Sequence, residues 1–452
     1  MESVLLYVLG ILVIVVGLAV SIGLHELGHL FPAKRFGVRV SQYMIGFGPT
    51  LFSRRRGETE YGLKAIPLGG YISMSGMFPP ARPGGRARAA TTGFFDTLVQ
   101  EGERGRGSMI EDARQASLAT IEPGQEHRTF YNLPVWKRII IMFGGPFMNL
   151  VIAVVLYAIV LCGFGIAQSS TTIGSVNECV IPASETRTEC AAGDPAAPGL
   201  EAGILPGDRL VEMDGQPISS WEQATGIIRA AAGEPLSITV QRDGAEVELT
   251  ATPLLTERYV TDENGQIVEA DGEPVTQEVG FLGIGAATET VRQPVTEVLP
   301  AVGENIERVV HLILNLPQRM IDVVQAAFGP EERDPNGPIS VVGVGRLAGE
   351  ISSLDSIPVA DRVSSLLGLL ASLNVALFVF NLIPLLPLDG GHIAGALFEA
   401  VRRFFAKLFK RPDPGPVDTA KLIPVTFAVV IVLGAMSALL IYADIVKPIS
   451  IL

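Results

Sequence analysis

Charged residues are almost absent from four long stretches of the sequence. Residues 1–24 carry one charge, Glu2, and residues 139–166, 363–388 and 422–442 carry none. Each stretch is about 20 residues or longer, which is enough for a helix to cross a hydrocarbon core of about 30 Å. Because 48% of the residues are hydrophobic and the mean hydropathy is +0.39, an ordinary soluble protein is excluded. The sequence therefore predicts four membrane spans.

A cleaved signal peptide is the alternative for the first stretch. A signal peptide begins with basic residues and ends at a cleavage site made of small residues. This stretch begins with an acidic residue and runs directly into a chemical motif that cleavage would remove. We therefore interpret it as a span.

Cysteine is also scarce, with three residues in the chain. Cys162 lies in the second predicted span, where a small buried apolar residue is the simplest interpretation. Cys179 and Cys190 lie between the second and third spans. A disulfide and two free thiols are both compatible with their positions.

Positive and negative charges occupy different segments. Residues 31–138 hold sixteen Lys and Arg, whereas residues 168–360 are dominated by Asp and Glu. The short loop expected after the third span is also basic; it holds Arg402, Arg403, Lys407, Lys410 and Arg411. Positive residues favour the cytoplasmic side, so the acidic segment and both termini are predicted outside. Orientation and anionic lipid explain the basic loops, and nucleic acid is not predicted as a partner.

These patterns divide the chain into four parts. The N-terminal membrane part, residues 1–170, is predicted to contain span one (3–29), a β-hairpin (38–74), a cytoplasmic loop (75–134) and span two (136–166). A small domain (171–255) follows, then an acidic excursion and a helix (256–360). The helix, over 295–328, is interpreted as an amphipathic helix on the outer membrane face, with a helix packed on the small domain as the alternative. The C-terminal membrane part, residues 361–452, holds spans at 363–388 and 422–446.

The small domain resembles bacterial PDZ domains. The resemblance rests on residues 198–218, which run Pro-Gly-Leu-Glu-Ala-Gly-Ile-Leu-Pro-Gly-Asp-Arg-Leu-Val-Glu-Met-Asp-Gly-Gln-Pro-Ile. The local pattern predicts a strand at Arg209–Met213, a helix over 221–232, and strands over 236–242 and 245–252. PDZ domains bind extended peptides at the edge of a sheet.

The first span ends in His25-Glu26-Leu27-Gly28-His29, the pattern His-Glu-x-x-His. On a helix, histidines at i and i+4 share one face and can bind one metal ion, with the glutamate beside them as a general base. Imidazoles and a carboxylate are costly at the end of an apolar span unless they bind something. The motif therefore predicts a zinc site with Glu26 as the catalytic group.

The third span supplies a candidate for the third ligand. Residues 381–392 read Asn-Leu-Ile-Pro-Leu-Leu-Pro-Leu-Asp-Gly-Gly-His, in which Pro384 and Pro387 interrupt the helix. Asp389 then lies at the cytoplasmic end of its span, on the membrane side that the charge pattern gives to His25 and His29. Two independent patterns thus predict three ligands at a similar depth.

Together these motifs resemble the site-2 proteases, in the bacterial branch that acts on anti-sigma factors. The resemblance covers nearly the whole chain and includes Phe-Gly-Gly-Pro-Phe-Met-Asn at residues 143–149. It implies zinc held by His25, His29 and Asp389, with Glu26 activating water. It also implies that the hairpin presents the substrate as a strand and that Asn381 handles substrate near the zinc.

Other residues of these motifs are interpreted less specifically. Gly145, Pro146 and Asn149 are equally compatible with close helix packing beside the site and with catalytic support. His392 is assigned a structural role beside the ligands, since zinc already has three.

The predicted fold is a polytopic α-helical membrane protein with four transmembrane helices, a membrane-associated β-hairpin and an extracytoplasmic α/β PDZ domain. The predicted enzyme is an intramembrane metalloendopeptidase of the bacterial inner or plasma membrane. The resemblance implies that its substrate is a single-span anti-sigma factor already cut outside by another protease, and we expect the PDZ domain to screen substrates by size. A membrane zinc transporter and a non-catalytic PDZ scaffold are the alternatives, and neither requires Glu26.

Overall fold

The computed structural model describes residues 2–78, 88–91, 124–183, 185, 187, 189–260, 268–270, 273–330, 332–335, 337–417 and 422–449. They form two compact units. Met1–Phe164 and Pro294–Leu452 make up the first, here called the helical unit. Gly165–Gln293 makes up the second, here called the inserted unit.

The secondary structure follows the chain in this order. The helices are α1 (Glu2–Arg35), α2 (Val135–Ala158), α3 (Pro198–Glu201), α4 (Trp221–Ala230), α5 (Val298–Leu314), α6 (Leu316–Phe328), α7 (Val341–Ser353), α8 (Val359–Asn381), α9 (Asp389–Leu408) and α10 (Ile423–Val446). The strands are β1 (Val40–Arg56), β2 (Thr59–Phe78), β3 (Arg88–Thr91), β4 (Ile166–Val176), β5 (Arg209–Met213), β6 (Gln216–Pro217), β7 (Leu236–Arg242), β8 (Ala245–Ala251), β9 (Leu254–Tyr259), β10 (Glu269–Ala270), β11 (Glu273–Pro274), β12 (Thr276–Phe281) and β13 (Ile284–Val291).

Four helices in the described part of the chain are long and apolar enough to cross a membrane. They are Ser3–Arg35, Val135–Phe164, Val359–Asn381 and Ile423–Val446. The four predicted spans are therefore confirmed as helices of spanning length, and the protein is a membrane protein. The third helix ends at Asn381, earlier than residue 388, because Pro384 and Pro387 lack the backbone N–H that would continue it.

The first two of these helices touch backbone to backbone. A Cβ built on Gly28 of α1 would lie 2.2 Å from the Gly144 carbonyl oxygen, and one on Gly144 of α2 would lie 2.1 Å from the Gly28 oxygen. No side chain fits between them, so glycine is required on both helices. The third spanning helix is tied to the first by a buried hydrogen bond, which Asn374 donates to the Ser21 hydroxyl at 3.0 Å.

The predicted hairpin is present and longer than expected. β1 pairs with β2 in antiparallel register from Val40↔Met74 to Arg56↔Thr59, and β2 pairs with β3. Its buried apolar side chains pack against α1 and α2, in a core formed by Leu30, Ala33, Val38, Val40, Ile72, Met74, Met77, Phe130, Ile141 and Met142. Most of the predicted cytoplasmic loop, residues 79–87 and 92–123, lies outside the described residues.

The inserted unit is built on an antiparallel sheet of order β13-β4-β5-β7-β8, with β6 paired to β5 and a separate β9-β12 ladder. Alternate residues of β7 point into its core, since Leu236, Ile238 and Val240 are buried while Ser237 is exposed. Asp208 accepts hydrogen bonds from Arg242 at 2.8 and 2.7 Å, and this guanidinium holds the pKa of the carboxyl below its usual range. The predicted strands and helix over 209–252 are confirmed as elements.

The inserted unit extends beyond the predicted range 171–255 on both sides. β4 begins before that range, at Ile166, and β12 and β13 follow it, so part of the expected acidic excursion is a paired strand. In β12, exposed Thr276, Gln277 and Glu278 are followed by half-buried Val279, buried Gly280 and half-buried Phe281, a pattern weaker than that of a core strand. Cys179 and Cys190, for which the sequence left two possibilities, form a disulfide with Cα atoms 6.0 Å apart.

Two helical predictions need correction. The single amphipathic helix expected over 295–328 is two helices, α5 and α6, which meet at Asn315 next to Pro317. The prediction of a basic loop after the third span is wrong, because most of that segment is helical and belongs to α9. Charge alone suggested a loop, but the apolar residues of this segment recur at helical spacing and outweigh that signal.

Candidate metal centre

Two histidines of α1 form one side of the candidate site. His25 and His29 are one turn apart, so both rings project from the same face of the helix. Their Nε2 atoms lie 3.2 Å apart, and the His29 side chain is 1% exposed. The first span thus carries two imidazole nitrogens that converge on one buried point.

A carboxylate from the other end of the chain completes the cluster. The Oδ2 atom of Asp389 lies 3.3 Å from Nε2 of His25 and 3.3 Å from Nε2 of His29. The three ligand atoms all lie within 4.8 Å of one another, and each of the three residues is largely buried. The structure therefore brings together the three residues that two separate sequence patterns suggested.

Two glycines allow Asp389 to reach this position. Residues 382–388 fold back tightly before α9 begins. A Cβ on Gly390 would lie 2.4 Å from the carbonyl oxygens of Leu382 and Ile383, and one on Gly391 would lie 2.5 Å from the Leu386 nitrogen. Only glycine leaves room for this turn, which places the first residue of α9 against α1.

The protonation of His29 follows from its other ring nitrogen. Nδ1 lies 2.7 Å from the carbonyl oxygen of Ile141 in α2. A carbonyl can only accept, so Nδ1 donates its proton, and in the neutral ring Nε2 presents a lone pair to the site. Such a bond to a backbone carbonyl is a common way to orient a metal-binding histidine.

The three groups fit zinc. In a tetrahedral site with metal–ligand distances near 2.0–2.1 Å, ligand atoms are separated by about 3.3 Å, which matches the observed 3.2 and 3.3 Å. Oδ2 of Asp389 is buried and has no hydrogen-bond partner among the described residues. Atoms with lone pairs that face one another so closely repel unless a cation lies between them. Two imidazoles and one carboxylate are also a usual catalytic zinc set.

Gly145 of α2 forms the wall of the site behind the histidines. A Cβ at this position would lie 2.2 Å from His29 Nε2 and 2.8 Å from His25 Cε1. Pro146 follows it and is buried. A side chain at position 145 would therefore collide with both histidines.

Glu26 lies between the hairpin and the three side chains of the candidate metal site. Its side chain is 5% exposed, and a Cβ on Gly70 of β2 would lie 3.1 Å from its Cγ. The hairpin is also anchored to the same helix, because the Tyr43 hydroxyl donates to the Gly23 carbonyl at 2.7 Å. A carboxylate and an extended strand therefore flank the site together.

The remaining predicted residues differ in what they contact. Asn149 is 1% exposed, and neither atom of its side-chain amide has a hydrogen-bond partner among the described residues. Asn381 donates to the Leu377 carbonyl of its own helix at 2.9 Å. His392 lines a cavity of about 20 Å³ next to Arg138 and Tyr131.

One buried ion pair near the site was not predicted from the sequence. Glu399 of α9 is fully buried and pairs with Arg138 of α2. Glu399 also accepts a hydrogen bond from the Val417 nitrogen at 3.0 Å and lies 3.1 Å from Arg403. In the sequence, Arg138 was counted only among the basic residues that indicate orientation in the membrane. The one signal for the pair was Glu399, a single acidic residue among apolar and basic neighbours.

Removal of either partner of this pair should destabilise the helical unit. Arg138→Ala or Glu399→Ala removes the buried partner of a buried charge, which costs about 3–5 kcal/mol. Thermal unfolding in detergent should therefore show a large decrease in Tm. Arg403→Ala is the control, since this partly exposed partner of the same glutamate should contribute about 1 kcal/mol or less. Equal decreases in Tm for Arg138→Ala and Arg403→Ala would show that burial of the ion pair does not determine its contribution to stability.

Comparisons with known proteins show what the whole chain is similar to. The family model described as Peptidase family M50 matches residues 13–411. A protein of Mycobacterium tuberculosis named zinc metalloprotease Rip1 is 34% identical over 457 residues, which cover 99% of this chain and 100% of the relative. The protein of the same name from Mycolicibacterium smegmatis is 31% identical over 99% of this chain. Metalloprotease MmpA of Caulobacter vibrioides is 30% identical over 85% of each chain.

Proposed function

Because this chain belongs to peptidase family M50, the site-2 proteases, and is a zinc metalloprotease, we propose that it cleaves other membrane proteins in or near their transmembrane segments. The observation that supports this best is the position of the candidate metal site. His25 and His29 lie within the candidate span Ser3–Arg35, and Asp389 follows the candidate span Val359–Asn381. A hydrolytic centre between two spans acts on substrates that lie in the same bilayer.

The proposed mechanism assigns each residue one task. His25, His29 and Asp389 hold zinc, which when bound polarises the scissile carbonyl and makes water more acidic. Glu26 takes a proton from the attacking water and transfers it to the leaving amine nitrogen. Gly145 keeps the space behind the histidines open, so that their Nε2 atoms stay directed at Asp389.

The substrate must unwind before it can react. A peptide bond inside a helix is shielded by its own hydrogen bonds, and freed backbone groups need partners at membrane depth. The hairpin next to Glu26 offers a strand edge for this pairing. The buried amide of Asn149 and the side chain of Asn381 are then available to bind the substrate backbone.

The proposed topology puts the site on the cytoplasmic side of the inner or plasma membrane and the inserted unit outside. The positive-inside pattern supports this orientation. The Cys179–Cys190 disulfide supports it as well, because disulfides persist in extracytoplasmic compartments. On this proposal the substrates are single-span proteins such as anti-sigma factors, already shortened outside by another protease, and the inserted unit is a PDZ domain that screens them by size.

A cleavage assay tests the proposed activity. We expect the purified enzyme, reconstituted in lipid with a single-span substrate, to produce fragments whose new termini lie in or near the span, as mapped by mass spectrometry. A zinc chelator should abolish this cleavage, and added zinc should restore it. Zinc uptake without any cleavage would favour the transporter, and substrate binding without cleavage would favour the scaffold.

Excision of the inserted unit tests the size screen. Ile166 and Val291, close to the two ends of the unit, are a directly paired antiparallel couple. A short Gly/Ser linker can therefore replace residues 166–291 without stretching the helical unit. We expect cleavage of untrimmed substrate to increase about tenfold or more, the effect of removing a barrier of about 1.4 kcal/mol.

Two comparisons make this experiment specific. Cleavage of the trimmed substrate should change little, which shows that the catalytic residues are intact. The excised variant that also carries Glu26→Gln should cleave neither substrate. If the excised enzyme still requires the first cut, the size screen does not reside in the inserted unit.

A further inference from the structure

Helix α9 has an apolar face that no part of the described chain covers. The face consists of six side chains that are each 49–64% exposed: Leu397, Phe398, Val401, Phe404, Phe405 and Leu408. Their spacing of three and four residues places them on one side of the helix. Large aromatic and aliphatic groups in such a continuous row are not left in water.

The opposite face of α9 is fixed to the protein. Ala396 and Glu399 are buried there, and Glu399 forms the ion pair with Arg138 of α2. The helix therefore has one side held by a spanning helix and one side that requires another partner.

The C-terminal end of α9 and the residues that follow it are strongly basic. Lys407, Lys410 and Arg411 are exposed, and none of them forms an ion pair within the described residues. By contrast, the guanidinium of Arg402 in the same helix donates to the carbonyls of Pro414 and Gly415 at 2.8 and 2.7 Å. Three cations thus remain available next to the end of the apolar face.

This combination fits an anionic lipid. Acyl chains cover apolar side chains, and the phosphate group of an anionic lipid complements Lys and Arg at the membrane surface. The helix begins eight residues after the candidate span Val359–Asn381 ends, so the bilayer is adjacent. A soluble protein partner would explain the apolar face but not the three cations at its end.

We propose that α9 is a lipid-binding helix, whose apolar face contacts acyl chains, and that Lys407 in its last turn and Lys410 and Arg411 just after its end bind anionic phosphate headgroups. The lipid contact does not depend on the proposed proteolysis. One consequence does rest on the proposed function: Asp389 is the first residue of α9, so lipid that anchors the far end of this rigid helix also positions the proposed third zinc ligand.

Spin labels measure the contact directly. Val401→Cys, Phe405→Cys and Leu408→Cys are made one at a time with Cys162→Ala and labelled with a nitroxide in lipid nanodiscs of phosphatidylcholine and phosphatidylglycerol. At all three positions we expect frequent collision with oxygen, which enters lipid, and rare collision with a water-soluble nickel chelate. Glu222→Cys, exposed on α4, is the control and should show the reverse.

Two results would overturn the lipid contact. Frequent collision with the nickel chelate at all three positions would mean that the face lies in water. Rare collision with both reagents would mean that protein covers it, either a second copy or another segment of this chain.

A charge variant tests the headgroup contact and its effect on Asp389. The rate of zinc loss to a chelator is compared in nanodiscs with and without phosphatidylglycerol. We expect this anionic lipid to slow the loss about fivefold, a modest part of what two or three basic residues at a membrane surface can supply. Lys407→Gln/Lys410→Gln should abolish the difference, and the control Arg292→Gln/Arg308→Gln, which removes two exposed charges elsewhere, should retain it.

The two experiments fail in distinguishable ways. The spin labels could contact lipid while the rate of zinc loss does not depend on lipid charge. This result would support the contact of α9 with acyl chains and overturn the proposed effect of the headgroups on Asp389. A protein that shows both effects but cleaves no membrane substrate would support the lipid-binding helix and contradict the proposed protease.

Discussion

In the purified enzyme, Glu26→Gln should lower the turnover number for a single-span substrate about a thousandfold, the contribution expected of a well-placed general base. Glutamine has nearly the same shape as glutamate but cannot accept a proton, so the packing of α1 against β2 should stay intact. Zinc content, measured by atomic absorption, should remain near one equivalent, because the three proposed ligands are unchanged.

The control for this prediction is Glu297→Gln, which removes a carboxylate from an exposed position at the start of α5. This variant should keep full activity, since it lies in neither the metal cluster nor the hairpin. If Glu26→Gln retained more than about a tenth of the wild-type rate, Glu26 would not be the proton acceptor of the reaction. Loss of zinc from Glu26→Gln would instead assign it to metal binding.

Gly145→Ala should have an effect of comparable size by a different route. The new methyl group would lie 2.2 Å from His29 Nε2, far closer than two non-bonded atoms approach. Either the imidazole rotates, which breaks its bond to the Ile141 carbonyl, or α2 moves away from α1. We expect the zinc Kd to increase about a hundredfold, the upper range for disturbed support of a metal-binding histidine, and proteolysis to disappear at ordinary zinc concentrations.

Gly163→Ala is a matched control in the same span. A Cβ at Gly163 meets no atom within 4 Å, so the substitution adds the same methyl group without a collision. Zinc affinity should be unchanged in this variant. If competition with a fluorescent chelator gave equal affinities for Gly145→Ala and wild type, the site would be more adaptable than the static contacts indicate.

The residues that meet at the candidate site could be predicted from the sequence because most of their signals are local. His25, Glu26 and His29 lie within five residues, and the helical repeat alone puts the histidines on one face. Asp389 required a second argument, from topology, and the structure places it 3.3 Å from both histidines. Four spans were predictable for the same reason, since hydropathy is a property of contiguous residues.

Features that depend on distant packing could not be predicted. The mutual approach of Gly28 and Gly144, and the direct contact of Gly145 with the histidines, exist only once α1 and α2 pack together. The partner of Arg138 lies on a helix far along the chain, so the charge pattern alone could not identify it. Helix α9 was missed because its basic residues were considered without the apolar residues between them.

The outer parts of the inserted unit show the same limit. β12 is rich in polar residues, and its identity as a strand depends on its pairing with β9. β4 and β13, which pair with each other, are separated along the chain by nearly the whole unit. Neither pairing leaves a signature in a short window of sequence.

The proposed zinc ligands come from opposite ends of the chain, and this has a consequence for biosynthesis. The ribosome makes His25 and His29 early, while Asp389 emerges only after the inserted unit and the third span have been translated. Until then the nascent chain has two imidazoles and no third protein ligand, a set too weak to retain zinc firmly. If these three residues hold the zinc as proposed, the growing polypeptide stays inactive until Asp389 has been made, and a truncated chain that lacks Asp389 is inactive as well.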